Sequence, residues 1–126
     1  MKSVMPCLGG LIIYWCLSAC HPASQNADIP PSCPVTNPLQ ELPWLKAIVA
    51  DTVATKNQNV YIYQASYKGR ITYRVDIIPG PDAGTITLYN CQGSVIAKGY
   101  ESFIGLQTDN KAVFDEMQLG PLLYNR

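Results

Sequence analysis

Hydrophobic and polar positions change rhythm three times along this chain. Between residues 41 and 56, apolar side chains recur at spacings of three and four: Leu45, Ile48, Val49 and Val53. That period predicts an amphipathic helix. Pro43 suits its first turn, where the missing N–H would lack a partner anyway. Trp44 opens the apolar face. It is read as a core anchor, with a partner-binding tryptophan as the alternative.

From residue 60 to 101 the period falls to two. Ile71, Tyr73, Val75 and Ile77 alternate with Thr72, Arg74 and Asp76. Four strands are predicted: Val60 to Tyr67, Ile71 to Ile78, Thr85 to Asn90 and Val95 to Glu101. Lys68-Gly69 and Gln92-Gly93 read as turns, and Pro79 to Gly84 as a loop. A two-residue turn at Lys68-Gly69 sets Ile62 opposite Val75 and Val60 opposite Ile77. The loop then sets Ile77 opposite Ile86 and Val75 opposite Leu88, with Ala97 opposite Leu88. This apolar face is expected to carry the helix. A short helix is predicted over Thr108 to Gln118, closed by Gly120-Pro121. Residues 122–126 receive no assignment. The expected fold class is α+β: one N-terminal amphipathic helix packed on a four-stranded antiparallel β-meander, with a short C-terminal helix.

The third rhythm is at the N-terminus. Lys2 precedes an apolar run from Leu8 to Leu17, followed by Leu17-Ser18-Ala19-Cys20. This is the layout of a secretory signal with a small-residue cleavage site. The run is also shorter than the roughly 20 apolar residues a membrane helix needs. Its last four residues resemble the lipobox of bacterial lipoproteins. The resemblance implies a signal peptide over 1–19 and a lipid on Cys20, the first residue of the mature chain. Several acyl chains, at about 0.8 kcal/mol per buried methylene, anchor a protein where one holds only marginally. His21 rather than Asp follows Cys20. In the lipoproteins resembled, that implies an outer-membrane location, and a periplasm-facing domain is expected.

Residues 20–38 are expected to be a semi-extended tether, because Pro22, Pro30, Pro31, Pro34 and Pro38 exclude helix and central strand. Residues 39–126 are then a single small domain. Of five cysteines, Cys7 and Cys16 leave with the signal and Cys20 is lipidated. Cys33 and Cys91 remain in an oxidising compartment, as a disulfide or as two free thiols.

Several blocks together resemble small uncharacterised envelope lipoproteins of Gram-negative bacteria. They are the lipobox, Leu42-Pro43-Trp44-Leu45 opening a helix, Tyr63 to Gly69 and Tyr89 to Gly93. The likeness covers roughly residues 40–97 and departs after Ile96, where the family carries further cysteines. It implies architecture and location, and no activity.

Composition narrows the function classes. Charged residues make up 14% of the chain, and nine Lys plus Arg balance nine Asp plus Glu. There is no basic field for a nucleic-acid backbone, so no nucleic acid is expected as a partner. The only histidine is His21, beside the anchor. That excludes triads built on a histidine base in the domain. Metal-ligand spacings are missing, and Asp82 is a single carboxylate in its loop. Asp115 and Glu116 are adjacent on a predicted helix and diverge. Neither a metal, a cofactor nor an enzymatic activity is expected.

The surface singled out is the second face of the sheet. The register places Tyr63, Arg74 and Tyr89 in one cross-strand row. Tyr67 and Arg70 flank the first turn, and Tyr61 and Tyr100 are expected on the same side. Such groups stack on sugars or hold peptide carboxylates. They are also ordinary strand formers. The expected roles are a non-catalytic module binding an envelope protein or glycan, or a small inhibitor or accessory subunit inserting the Pro79–Gly84 loop.

Overall fold

The computed structural model describes residues 33–81 and 83–126. The predicted signal segment, Cys20 and most of the tether lie outside the described residues.

The expected α+β meander is corrected. Among the described residues the protein is predominantly β, a six-stranded antiparallel sheet with three short helices. Helix α1 spans Pro38–Glu41 and α2 Pro43–Ala54. Strands β1 (Asn59–Tyr67), β2 (Arg70–Gly80), β3 (Ala83–Tyr89) and β4 (Val95–Ser102) follow. Strand β5 (Gly105–Gln107), helix α3 (Lys111–Glu116) and strand β6 (Gln118–Asn125) complete the chain. The sheet order is β5-β4-β3-β2-β1-β6. Two strands escaped prediction. β5 is three residues long, too short for a period to register. β6 contains Gly120-Pro121, which reads as a stop. Proline is nevertheless tolerated on a sheet edge, where its missing N–H faces outward. β6 is such an edge. It pairs with β1 through two register shifts, and a side chain at Gly120 would sit 2.8 Å from the Gln64 carbonyl oxygen.

The first hairpin has the expected register, Ile62 opposite Val75 and Val60 opposite Ile77. Its turn holds Lys68 at φ +49° and Gly69 at φ +71°. Two positive angles suit the twist of the strands it joins. The second hairpin is corrected. No open loop separates β2 from β3, because Gly80 already faces Ala83. A bulge then places Ile78 and Pro79 opposite the single residue Gly84, so Ile77 faces Thr85 instead of Ile86. Pro79 has no N–H to give the ladder, which makes this the natural place for the extra residue. Gly84 fits there because an added Cβ would lie 3.0 Å from the Ile77 carbonyl oxygen.

A slip of one residue turns every side chain beyond it to the other face. The first face therefore carries Val60, Ile62, Tyr73 and Val75, packed with Leu42 and Leu45 from the helical segment. Val53, expected on the buried side of α2, is exposed. Leu88 and Ala97, facing each other as expected, lie on the second face, as does Ile86. Leu88 and Ala97 form a second core with Ala65 under Val113, Phe114 and Met117. This cover follows from the topology. β5 and β6 are opposite edges, so the chain joining them crosses a face, and α3 is the crossing.

Cys33 and Cys91 are joined in a disulfide, with Cα atoms 5.5 Å apart. Cys33 and Pro38 are buried, so the end of the Pro-rich stretch belongs to the folded body. Trp44 locks this corner. Its indole N–H donates to the Cys91 carbonyl at 3.0 Å, and its ring meets Tyr73 edge-on and Tyr89 at a tilt. Asn90 orders the adjoining turn through its side-chain oxygen, which accepts from the N–H groups of Gln92 and Ser94.

Candidate functional site

The second face is half covered. α3 lies over Ala65, Leu88 and Ala97, towards the Lys68–Gly69 end. Towards the β2–β3 and β4–β5 turns the face is not covered by α3, and Tyr61, Tyr63 and Arg74 stay partly exposed there.

Alternation along β1 and β2 builds it. Tyr61 pairs with Asp76 and Tyr63 with Arg74 across the two strands. Arg74 and Asp76 are two residues apart in one strand and so share a face. They form a bidentate pair, with Nε to Oδ1 at 2.7 Å and Nη2 to Oδ2 at 2.8 Å. The guanidinium also stands 6.0 Å from the Tyr63 ring centroid, within cation–π range. β4 adds Glu101, opposite Gly84 of β3. Its carboxylate is 4.0 Å from Arg74 Nη2 and mostly exposed.

Beside this cluster is a cavity of about 290 Å³. Ile78, Ile86 and Pro81 give it apolar walls, with Asp76, Glu101 and Phe103 around them. Phe103 and Ile104 make the two-residue tip of the β4–β5 hairpin. They are 89% and 68% exposed, the two most solvent-facing large apolar side chains among the described residues.

Of the predicted site residues, Tyr61, Tyr63 and Arg74 meet on this surface. Tyr67 and Arg70 face each other at the far end of the same face, where Lys68 lies over the Tyr67 ring. Tyr89 is corrected. The bulge turns it to the first face, where it packs on Trp44, and Leu88 takes its place opposite Arg74. Tyr100 moves to the first face for the same reason, opposite Thr85. That Arg74 and Asp76 share a face was legible from spacing. Glu101 was not, because it reaches Arg74 only through the register of two further strands. Phe103 and Ile104 are apolar residues in sequence and become a site feature only once a turn exposes them.

The electrostatics favour a cation over an anion. Arg74 gives Nε and Nη2 to Asp76, whose charge offsets its own, so it attracts an incoming carboxylate less than the Tyr/Arg row suggested. Arg74, Asp76 and Glu101 together sum to one negative charge. No group of three or more His, Cys, Asp and Glu side chains among the described residues is arranged to hold a metal ion. No protein-family model, curated protein or solved structure matches the chain.

Proposed function

We propose that this protein is a lipid-anchored, periplasm-facing lipoprotein of the cell envelope. It works as a non-catalytic module that binds a partner on the open half of its second sheet face. The anchor rests on the Leu17-Ser18-Ala19-Cys20 sequence behind an apolar run. The Cys33–Cys91 bridge supports export, since such bonds persist in oxidising compartments. His21 after Cys20 supports the outer membrane.

The observation that carries the binding reading is the clustering of Tyr61, Tyr63, Arg74 and Asp76 beside an exposed apolar hairpin tip. Aromatic and arginine side chains next to apolar anchors are the composition of binding surfaces. An accessory or inhibitory subunit is a second form of the same reading. The feature favouring it is the Phe103–Ile104 tip, in place of the tight β2–β3 turn.

Two experiments test this. Membrane fractionation of Cys20→Ser should yield an unprocessed chain without lipid. A processed, lipid-bearing Cys20→Ser product would end the anchor assignment. Cross-linking in intact cells should capture a partner that a Tyr61→Ala/Tyr63→Ala protein loses, while Asp51→Asn, on α2, keeps it. Capture indifferent to both substitutions would end the binding-face assignment.

A further inference from the structure

We propose that the cavity between the β2–β3 and β4–β5 turns receives one cationic side chain, arginine or lysine, from a partner protein. The proposal rests on the binding-face reading and names what that face recognises.

Size comes first. Pockets for drug-sized ligands run from roughly 300 to 1,000 Å³. At about 290 Å³ this cavity sits at the bottom of that range. It has room for a single long side chain.

Lining comes second. Ile78, Ile86 and Pro81 offer apolar contact along the walls, and Phe103 offers an aromatic ring at the mouth. Arginine and lysine carry apolar stems that bury against such walls while the charged head reaches a polar partner. An aromatic ring beside the entrance adds cation–π attraction.

Charge is the third and deciding point. Asp76 is satisfied twice over by Arg74, at 2.7 and 2.8 Å. Glu101 accepts no hydrogen bond among the described residues, and its nearest cation, Arg74, stands 4.0 Å away. The other arginine at this end of the sheet, Arg126, donates its guanidinium to the Thr52 carbonyl on the opposite side. One carboxylate is therefore left to meet an incoming cation. An anionic group entering here would meet net negative charge. The same charge opposes docking of the Phe103–Ile104 tip onto an anionic lipid surface.

The test is a titration of the ¹⁵N-labelled mature protein in detergent micelles, followed by amide shifts. Three probes are used: N-acetyl-arginine methylamide, its uncharged citrulline counterpart and the glutamate analogue. The arginine probe should move the amides of Gly84, Ile86, Glu101 and Phe103 and saturate. The citrulline and glutamate probes should bind more weakly. Glu101→Gln should weaken the arginine probe about two- to fivefold, the range for a partly exposed ion pair. Asp51→Asn should leave it unchanged.

Equal shifts from arginine and citrulline would overturn the proposal, as would indifference to Glu101→Gln. Binding of the same amides to phosphatidylglycerol vesicles, without response to the arginine probe, would replace it with membrane docking. The two levels fail separately. If Tyr61→Ala/Tyr63→Ala abolishes cross-linking but the arginine probe is silent, the face stands and the cation pocket falls. If cross-linking ignores both those substitutions and Glu101→Gln, the face itself falls.

Discussion

Gly93 sits where two demands on one residue coincide, and Gly93→Ala separates them. Its φ is +84°, a left-handed angle that an L side chain adopts at about 1–2 kcal/mol. A Cβ there would also lie 2.6 Å from Cγ of Trp44 and 2.9 Å from Cδ1 and Cδ2. Carbon contacts settle near 3.5–4.0 Å, so the indole must retreat by about 1 Å. Retreat loosens the 3.0 Å hydrogen bond to the Cys91 carbonyl, worth about 0.5–1.5 kcal/mol net. It also disturbs two aromatic contacts of about 0.5–1.5 kcal/mol each. Allowing for partial relaxation, the loss should be about 3 kcal/mol, a large share of the roughly 5–15 kcal/mol that stabilises a small domain. Gly69→Ala is the control. Its φ is +71°, but a Cβ there has nothing within 4 Å, so only the backbone part of about 1–2 kcal/mol applies. Urea unfolding under non-reducing conditions measures both. In a Trp44→Ala background the cost of Gly93→Ala should shrink to that of Gly69→Ala. If Gly93→Ala and Gly69→Ala cost the same in the wild-type background, the packing argument at this corner is wrong.

Three further outcomes are expected. Removing the Cys33–Cys91 bridge by Cys33→Ser/Cys91→Ser should cost about 4 kcal/mol in urea unfolding, from opening a loop of 58 residues. Intact mass of the mature protein should show the two missing hydrogens before reduction. Burial, and secondarily the Glu41 carboxylate, raise the Tyr73 phenol above its ordinary value of 10.0. A raised folded value means the stabilising contribution is complete below pH 10 and is lost as pH climbs through the folded value. Tyr73→Phe should therefore flatten the alkaline limb of the stability–pH curve, and an unchanged limb would contradict the burial argument. Asp76→Asn strips Arg74 of its bidentate partner on a half-buried surface and should cost about 1–3 kcal/mol. Asp115→Asn, which breaks the exposed Lys111 pair, should cost less than about 0.5 kcal/mol.

Much of the sheet was legible locally, and the boundary of that legibility runs through Pro79. Up to that point alternation and the Lys68-Gly69 turn determine pairing, and the first hairpin's register follows from them. Beyond it, a turn of the same length without a bulge would set Ile77 opposite Ile86. The bulge at Ile78-Pro79 shifts the pairing by one residue. That single step moves Tyr89 from the candidate surface into the Trp44 cluster and sends Ile86 and Leu88 to the second face. The same step makes sense of α3. An apolar second face needs a cover, and Val113, Phe114 and Met117 provide it.

Sequence by itself determined what depends on neighbours in the chain. It marked the helix opened by Pro43, the first four strands, the turns at Lys68-Gly69 and Gln92-Gly93 and the sharing of one face by Arg74 and Asp76. These follow from backbone sterics and from the two- and 3.6-residue periods, which act over a few residues. Tertiary structure decided what depends on distance in space. It joined Cys33 to Cys91, laid the last eight-residue strand along β1, and brought Glu101 within 4.0 Å of Arg74. The physical reason is that each of these contacts depends on the register of strands far apart in sequence. One missing N–H at Pro79 changes that register and leaves almost no trace in the local pattern.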